Sequence, residues 1–464
     1  MSTVWCDRAR LVCICLALSF AVNFQYAFST TYTNTAIHSF QEFLISTNAT
    51  LDVEPEEKFS LLWNVIVNMW FPGFLPGLWV ARILTDKYGR KLAFLVGNTL
   101  NVMGSILRCI AIVVHIPGIL IGARAICGFA TAIAYCSLIL YLQEVAPNSI
   151  RGMTSCLNGV MYALIAFLGI TLGNESLLGK NLLHYLASAI PPCVIGVVVV
   201  AVLPETPKFL LSRGQYEKAV DSVKLYYGES ANISESLKSI EKDVGEASTE
   251  NAKFSDLFTQ KHLWAALLLF LASLQNTVAL WTILFSSTFY LESIGVAYSL
   301  AQWSSSMMAG AFLAGTVSGA VLIERCGRRS IIIWSNLTNM ASLSLYVFFA
   351  EMSSFFEPMK YGCPPMLTVF GFTYGAGVGP VARFIGSELV TLHYRSMLTA
   401  VGFAWDTIMS CITAFSCGPL FNLIGAKAFL VLYVVPSILC TFYLTFYLPE
   451  TQGRETEEIV TMLK

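Results

Sequence analysis

Charged residues are scarce in this sequence: Asp, Glu, Lys and Arg make up 12% of its 464 residues, against about 25% in soluble proteins. Hydrophobic residues make up 56%. A chain with so little charge excludes an ordinary soluble globular fold. The net charge of −1 also gives no basic surface, so the composition indicates no nucleic-acid partner.

Metal-binding and catalytic patterns are missing as well. The 13 cysteines show neither paired zinc spacing nor a CxxC motif, and the five histidines form no HExxH motif. Most cysteines lie inside apolar runs, which predicts small buried apolar side chains and not a disulfide framework. The sequence therefore predicts neither an enzyme nor a bound metal or cofactor.

Long apolar runs dominate what is present. A run of about 20 apolar residues crosses a bilayer, and only helices or closed barrels satisfy their own backbone hydrogen bonds in lipid. Runs of this length predict an all-α membrane protein with twelve transmembrane helices. We predict these helices at 10–32, 59–81, 92–114, 116–142, 152–173, 184–203, 262–290, 301–323, 330–350, 365–387, 397–421 and 427–448.

A charged motif occurs twice and indicates a duplicated chain. It reads Asp86-Lys87-Tyr88-Gly89-Arg90-Lys91 in one half and Glu324-Arg325-Cys326-Gly327-Arg328-Arg329 in the other. An acid and an arginine seven residues apart also recur, as do two Pro-Glu-Thr tripeptides at 204–206 and 449–451. We therefore predict two pseudo-symmetric six-helix halves, 1–203 and 262–464, joined by a short cytoplasmic helical linker at 204–261.

The distribution of basic residues predicts the orientation. Most of the 28 lysines and arginines fall on the inner side if both termini are cytoplasmic. An alternative is that 11–22 is the core of a signal peptide, but twelve spans with both ends inside require an uncleaved helix. We predict a multi-pass plasma-membrane protein. The acidic loop after helix 1 then lies outside and carries a predicted glycosylation site at Asn48.

Six motifs in order resemble the sugar porter family of the major facilitator superfamily, over nearly the whole chain. They are the two charged motifs, Gly122-Ala123-Arg124, Glu144-Val145-Ala146-Pro147 running to Arg151-Gly152, Pro204-Glu205-Thr206-Pro207-Lys208-Phe209-Leu210, and Pro449-Glu450-Thr451-Gln452-Gly453-Arg454. The match is to animal facilitative hexose transporters. Phe24-Gln25-Tyr26 followed by Asn34 is similar to the first helix of the fructose-type branch, which implies that Tyr26 and Asn34 contact substrate.

Charges at the inner helix ends predict a gate. Acids there can pair with arginines across the two halves, and pairs that form only when the inner mouth is closed favour the outward-open state. Each pair need contribute only about 1 kcal/mol, because several together bias a balanced equilibrium. The alternative is that these charges only fix the topology. The predicted gating residues are Asp86, Arg90, Lys91, Glu144, Arg151, Glu205, Glu324, Arg328, Arg329, Glu388 and Arg395.

A substrate of such a fold binds near the bilayer midplane between the halves. A sugar needs amide or hydroxyl partners and aromatic faces. In helix 7, Gln275 and Asn276 stand where the family has a sugar-contacting glutamine pair; alternatively, they bond a neighbouring helix. Helices 7 and 11 also offer the aromatic rings of Trp281, Phe285 and Trp405.

Elsewhere the family's sugar contacts are replaced. Trp281 takes the place of a helix-7 asparagine, Gly375 of a helix-10 glutamate and Arg383 of a helix-10 tryptophan, while Trp405-Asp406 replaces an Asn-Trp pair in helix 11. The run from Gly375 predicts a flexible, kinked part of helix 10. The predicted gate is thus typical of the family and the predicted binding site is not.

Arg383 and Asp406 lie inside predicted helices. A lone charge in the membrane interior costs about 2.5–3.5 kcal/mol, so such charges usually pair or face water. The resemblance implies that both positions lie close together beside the cavity, and we therefore predict an ion pair between them at the cavity wall. The pair is either structural or binds polar groups of the substrate.

The sequence therefore predicts a facilitative transporter of glucose or fructose that works by alternating access in a lipid bilayer. It is predicted not to be proton-coupled, because Ser29 stands where proton-linked sugar porters carry an aspartate. Two alternatives stay open. The chain could carry another small polar or anionic solute attracted by Arg383, or it could be a non-transporting nutrient receptor that kept the fold.

Overall fold

The computed structural model describes residues 2–46, 55–146, 151–228, 233–235, 237–238, 240–241, 254–454 and 456–463. Most of these residues lie in helices, and none lies in a β-strand. In the described part of the chain, ten helices are long and apolar enough to cross a membrane. A shorter apolar helix and an interrupted one complete twelve spans in two six-helix halves. The predicted fold class is confirmed.

We number the spans α1 to α12 in chain order. Their bounds are Ser2–Thr35 for α1, Pro55–Asn68 and Trp70–Tyr88 for α2, Arg90–Val114 for α3, Pro117–Val145 for α4, Arg151–Leu172 for α5, Leu182–Ala187 and Ile190–Val202 for α6, Lys261–Gln275 and Val278–Ser293 for α7, Tyr298–Cys326 for α8, Arg328–Met352 for α9, Cys363–Thr373 and Gly379–Glu388 for α10, Leu392–Ile424 for α11, and Lys427–Phe429 and Val435–Tyr447 for α12. Most helices run past the predicted apolar cores, because a helix continues into the polar interface after its hydrophobic stretch has ended.

Short helices connect the spans. They are Ile37–Ser46 after α1, Pro207–Ser212, Tyr216–Tyr227 and Asp256–Thr259 between the halves, the 3₁₀ helix Glu357–Gly362 before α10, and Thr456–Leu463 after α12. The linker helix Tyr216–Tyr227 is held against the bundle, since the hydroxyls of Tyr141 and Tyr226 lie 2.6 Å apart and both lie within hydrogen-bond distance of the Pro204 carbonyl oxygen.

Glycines let helices touch at the same places in both halves. A Cβ on Gly73 of α2 would lie 2.1 Å from the carbonyl oxygen of Ala125 in α4. In the second half, a Cβ on Gly315 of α8 would lie 2.1 Å from the carbonyl oxygen of Phe372 in α10. Without a hydrophobic drive between helices in lipid, such close backbone packing holds the bundle together. The repeated contact is the structural counterpart of the duplicated charged motif.

The corresponding helices of the two halves differ in continuity. Helices α1 and α4 are continuous, whereas α7 is interrupted between Gln275 and Val278 and leaves helical geometry again at Ser286. A π turn at Tyr374–Val378 interrupts α10, as predicted from its glycine run, and another at Leu430–Val434 interrupts α12. Such interruptions expose backbone groups that other side chains can bind.

Candidate substrate site and gates

A small cavity lies at the centre of the molecule, between helices of both halves. Its volume is about 50 Å³. Its wall comes from α1, α2, α4, α7, α10 and α11. Its lining includes Tyr26, Trp70, Phe71, Tyr135, Trp281, Arg383 and Asp406.

Aromatic side chains fill most of this centre. The ring centroid of Tyr26 lies 5.7 Å from that of Trp70, 6.1 Å from that of Trp281 and 5.0 Å from that of Tyr135. Tyr26 belongs to the first half and Trp281 to the second, so the rings meet across the interface between halves. Any substrate that binds here must move at least some of these rings apart.

Arg383 and Asp406 both face the cavity but do not touch each other. The Thr277 hydroxyl, at the interruption of α7, donates to Asp406 Oδ1 at 2.8 Å. The guanidinium carbon of Arg383 lies 5.7 Å from the ring centroid of Trp281. Arg383 makes neither a hydrogen bond nor an ion pair with any described residue. The predicted direct ion pair is therefore wrong in this conformation, because Asp406 binds the Thr277 hydroxyl and Arg383 packs on the Trp281 ring.

Four predicted substrate residues do not line this cavity. Trp405 is 37% exposed and points elsewhere than its neighbour Asp406, since consecutive residues lie about 100° apart around a helix. Gln275 is not in the lining either. Asn276 donates to the Ala272 carbonyl at 3.1 Å within its own helix. Phe285 lies beyond the cavity, against Phe71.

The fifth such residue, Asn34, closes one end of the molecule. We call this end the far side, and the end that carries the two charged motifs the motif side. Asn34 Nδ2 donates to the Leu284 carbonyl at 2.8 Å, and Thr33 donates to the Phe285 carbonyl at 3.1 Å. These carbonyls are free because α7 leaves helical geometry at Ser286. Side chains of the first half thus bind backbone acceptors of the second.

A second closure on the far side joins α2 to α11. Pro419 has no backbone N–H, so the carbonyl of Phe415 has no helical donor. Asn64 Nδ2 donates to that carbonyl at 3.1 Å, and Asn68 Nδ2 donates to the Ala414 carbonyl at 3.1 Å.

An acid and a histidine add to this closure. His38 Nε2 lies 2.6 Å from Glu292 Oε1, and the His38 ring stacks on Tyr298 with centroids 3.5 Å apart. His38 belongs to the first half, and its two partners belong to the second. The far side is therefore closed by contacts between the halves.

On the motif side, the ion pairs lie within each half. Arg90 donates to Glu144 Oε1 from Nε at 3.0 Å and from Nη2 at 2.7 Å, and the Thr206 hydroxyl donates to Glu144 Oε2 at 2.5 Å. In the second half, Arg328 Nε lies 3.6 Å from Glu388 Oε1. The Thr451 hydroxyl donates to the other oxygen of Glu388. The two halves repeat one arrangement.

The glutamate of each Pro-Glu-Thr tripeptide binds backbone in the charged motif of its half. Glu205 accepts the N–H of Lys91 at 3.0 Å and that of Thr206 at 2.8 Å. Burial raises the pKa of the Glu205 carboxyl above its ordinary value, and these two N–H donors partly offset the rise. In the second half, Glu450 accepts the N–H of Arg328 at 2.9 Å.

Glycine at one position of each motif makes this approach feasible. Gly89 has φ of 99° and Gly327 has φ of 84°, both in the region that favours glycine. A Cβ on Gly89 would lie 2.2 Å from Glu205 Oε2, and one on Gly327 would lie 2.5 Å from Glu450 Oε2. The glycine of the motif is thus required by backbone geometry and by the glutamate beside it.

Both described motif-side ion pairs stay within a half, because each arginine meets the acid on an adjacent helix end of its own half. The predicted pairs across the halves are expected only when the inner mouth is closed, and this conformation is closed on the far side, so they stay a prediction. Other predicted gating residues contact backbone or lie at the surface. Lys91 Nζ donates to the Ala201 carbonyl at 2.8 Å, and Arg329 Nη2 donates to the Thr445 carbonyl at 2.7 Å. Asp86 lies 3.9 Å from Arg82 at the surface, and Arg395 Nε is buried without a hydrogen-bond partner among the described residues. The side chains of Arg151 and Glu324, and the whole of Asn48, lie outside the described residues.

Several residues of the site were not predicted. Trp70, Tyr135 and Thr277 line or brace the cavity, and Asn64 and Asn68 close the far side. The asparagines could have been found from their spacing, since two amides four residues apart share one face of an apolar helix. Nothing in the sequence points to the aromatic residues, because tryptophan and tyrosine are common throughout membrane helices.

Comparisons with known proteins concern the family and the fold of the chain. A family model described as "Sugar (and other) transporter" matches residues 12–463. The mouse protein "Solute carrier family 2, facilitated glucose transporter member 7" is 28% identical, over 97% of this chain and 90% of its own length. The honeybee "Facilitated trehalose transporter Tret1" is 24% identical, over 96% of this chain and 86% of its own length.

Among solved structures, the chain is similar to the E. coli proton:xylose symporter XylE bound to 6-bromo-6-deoxy-D-glucose. The TM-score is 0.74 at 14% identity, and the match covers 98% of this chain and 100% of XylE. At this identity the likeness concerns the fold alone.

Proposed function

Because this chain belongs to the sugar transporter family, and is therefore a membrane transport protein and not an enzyme, we propose that it is a facilitative hexose carrier that works by alternating access. The observation that carries this proposal is the asymmetry of the contacts between halves. The far side is closed by bonds between the halves, whereas the described motif-side ion pairs stay inside each half. This is the arrangement expected of a carrier that opens toward its motif side.

The central cavity supplies the chemistry for a hydroxylated substrate. A sugar hydroxyl both accepts and donates, so it can accept from Arg383 and donate to Asp406. Tyr26 and Trp281 offer faces for the C–H groups of the ring. The cavity of about 50 Å³ is far below the ~300 Å³ of ordinary ligand pockets. Binding therefore requires the aromatic rings to separate, which couples substrate entry to movement of the two halves.

An anionic solute is the second candidate, and one observation favours it. The Arg383 guanidinium faces the cavity without an acid partner among the described residues, so a substrate carboxylate could take that place. Asp406 would repel the same anion, which is why the neutral sugar is preferred. The names of the mouse and honeybee relatives also favour glucose or a related sugar.

Transport is proposed to run without a proton. Arg124 donates to the Ser29 carbonyl at 2.6 Å and to the Val67 carbonyl at 2.8 Å, so backbone oxygens satisfy its charge. The Ser29 hydroxyl donates to the Tyr26 carbonyl at 3.1 Å and does not ionise in the physiological range. A substrate-induced pH change in weakly buffered vesicles would contradict this proposal.

The motif side is proposed to face the cytoplasm, because lysines and arginines concentrate there. The far side, with a glycan at Asn48, would then face outward at the plasma membrane. An N-glycosidase added to intact cells should reduce the apparent mass of the protein. A change in mass only after permeabilisation would place the protein in an intracellular membrane, and no change in either case would mean that Asn48 carries no glycan.

Uptake by the purified chain in vesicles tests the function. D-glucose, D-fructose, trehalose and D-glucuronate should be compared, with the Asp406→Asn variant as a matched control that keeps shape but removes charge. We expect saturable hexose uptake that this variant lowers at least ten-fold. Uptake of D-glucuronate alone would favour the anion carrier. Binding of a sugar without uptake of any solute would favour a receptor.

A further inference from the structure

The far side contains a second cavity that is larger than the central one. It has a volume of about 420 Å³ and lies between α2, α7 and α11, so both halves form its wall. Ser60 and Asn422, near helix ends, mark one end of it, and Asn68 marks the other. Its lining shares no residue with that of the central cavity. Its size falls within the roughly 300–1,000 Å³ of small-molecule sites.

A layer of aromatic rings separates the two cavities. The ring centroid of Phe285, which lines the far-side cavity, lies 5.4 Å from that of Phe71 and 6.5 Å from that of Trp70, which line the central one. Helices α2, α7 and α11 contribute to both cavities. The cavities are therefore arranged in series along the interface between the halves, with this layer between them.

The chemistry of the far-side cavity suits an uncharged polyol. Among the residues that the structure describes, no charged side chain lines it. Six amide or hydroxyl side chains do, and four aromatic side chains accompany them, which is the combination that replaces the water of a sugar and covers its C–H faces. The polar residues are Ser60, Asn64, Asn68, Thr282, Ser286 and Asn422, and the aromatic ones are Trp63, Phe285, Phe289 and Tyr290.

Some of these polar atoms are committed to the protein and some are free. Asn64 and Asn68 each donate to a carbonyl of α11. By contrast, the Ser286 hydroxyl makes no hydrogen bond with any described residue, and Asn422 uses only its Nδ2 atom, toward Ser60 at 3.3 Å. A ligand in the cavity thus meets a free hydroxyl on one helix and a free amide oxygen on another.

We propose that this far-side cavity is a second binding site, specific for an uncharged monosaccharide and occupied while the far side is closed. The choice of a monosaccharide rests on the proposed function; the exclusion of a charged ligand rests only on the uncharged lining. Since both halves form the wall, a bound sugar holds α2 and α11 together. A bound sugar therefore stabilises the conformation in which the far side is closed, and it lies on the far side of the aromatic layer.

Gly418 offers a way to fill the cavity. It belongs to the lining, and a Cβ there would have its nearest contact at 3.6 Å, with Asn64 Oδ1, so a methyl group fits. The Gly418→Phe variant should fill the site, and Gly418→Ala is the matched control. Ser286→Ala, which removes the free hydroxyl without adding volume, provides an independent variant should Gly418→Phe not fold. We expect Ser286→Ala to weaken the binding of sugar at the far-side cavity about five-fold, which is the effect of one lost hydrogen bond.

The experiment is calorimetric titration of the full chain in lipid nanodiscs with D-glucose, D-fructose and D-glucuronate. Wild type and Gly418→Ala should bind two molecules of the preferred sugar per chain, and Gly418→Phe should bind one. The molecule that remains in Gly418→Phe should be lost when Asp406→Asn is added. D-glucuronate should not compete for the molecule that Gly418→Phe removes.

The outcomes separate this site from the central one. A single bound sugar that Asp406→Asn removes and Gly418→Phe and Ser286→Ala leave unchanged would overturn the far-side site and keep the proposed function. A single bound sugar with the opposite dependence would keep the far-side site and overturn the central one. Binding of none of the three probes would overturn both.

Discussion

Removal of the acid from a motif-side ion pair should lower the thermal stability of the chain, and by a different amount in each half. The perturbations are Glu144→Ala in the first half and Glu388→Ala in the second. Both acids bind an arginine and a threonine hydroxyl in the same arrangement. The pseudo-symmetry of the chain therefore supplies a matched comparison, in which the helix ends and the type of substitution are the same and only geometry and burial differ.

The geometry of the first pair is the better one. Arg90 donates twice to Glu144, and the two side chains are 16% and 8% exposed. Arg328 approaches Glu388 only to 3.6 Å, with 22% and 28% exposure. Loss of Glu144 leaves a largely buried guanidinium and should lower the free energy of unfolding by roughly 3 kcal/mol. Loss of Glu388 should cost about 1 kcal/mol, as for a half-exposed pair.

Thermal unfolding of the purified chain in detergent, followed by tryptophan fluorescence, measures the difference. Glu144→Ala should lower the apparent Tm clearly more than Glu388→Ala, and Asp86→Ala, in a surface pair with Arg82, should leave it unchanged. The double variant Arg90→Ala with Glu144→Ala should recover part of the loss, because no unpaired charge remains. Equal shifts for Glu144→Ala and Glu388→Ala would refute the reasoning, as would a larger shift for Glu388→Ala.

Three further predictions follow from the packing. Arg383→Ala and Asp406→Ala should each lower the initial rate of sugar uptake at least ten-fold. The double variant should lose less than the product of the two losses, because both charges face one cavity; a fully multiplicative loss would mean that the two residues act independently. Asn34→Ala should shift the carrier toward its far-side-open form, measured as faster labelling of far-side residues by a membrane-impermeant reagent, and unchanged labelling would remove Asn34 from the closure. Gly73→Val should abolish expression of folded protein because its Cβ would meet a backbone carbonyl at 2.1 Å, whereas Gly118→Ala, with nothing within 4 Å, should express normally on size-exclusion chromatography.

The helices could be predicted because lipid imposes a simple rule. A segment that spans the membrane must be both apolar and helical, so hydropathy alone located all twelve. The interruption of α10 could also be predicted, since its glycines stand where a π turn forms. The interruption of α7 could not, because Asn276 and Ser286 are residues that a regular helix also accepts.

The site could be predicted only in part. Tyr26, Trp281, Arg383 and Asp406 share the cavity as expected, whereas Trp405 does not. An alignment gives positions along the chain, but it does not tell which of two adjacent side chains faces inward. Pairing partners were missed for a related reason: Asp406 binds a threonine at a helix break, and the position of that break follows from tertiary packing.

The far-side closure could not be predicted from the sequence, because the acceptors of its hydrogen bonds are main-chain groups. The acceptors of Asn34 and Asn64 are main-chain carbonyls, which every residue type carries. Such acceptors become available only where a helix bends or where a proline removes a donor. Pro419 was visible in the sequence, but its partner on α2 depends on how the two halves meet.

The unequal continuity of corresponding helices has a mechanical consequence. Helices α1 and α4 are continuous rods, while their counterparts α7 and α10 are jointed at Asn276, Ser286 and the π turn before Gly379. A joint that lacks regular backbone bonds bends at lower energy than an intact helix. We expect α1 and α4 to move as rigid units during the conformational change, whereas α7 and α10 can bend at these positions. Corresponding helices of the two halves therefore contribute in different ways to the opening and closing of the central cavity.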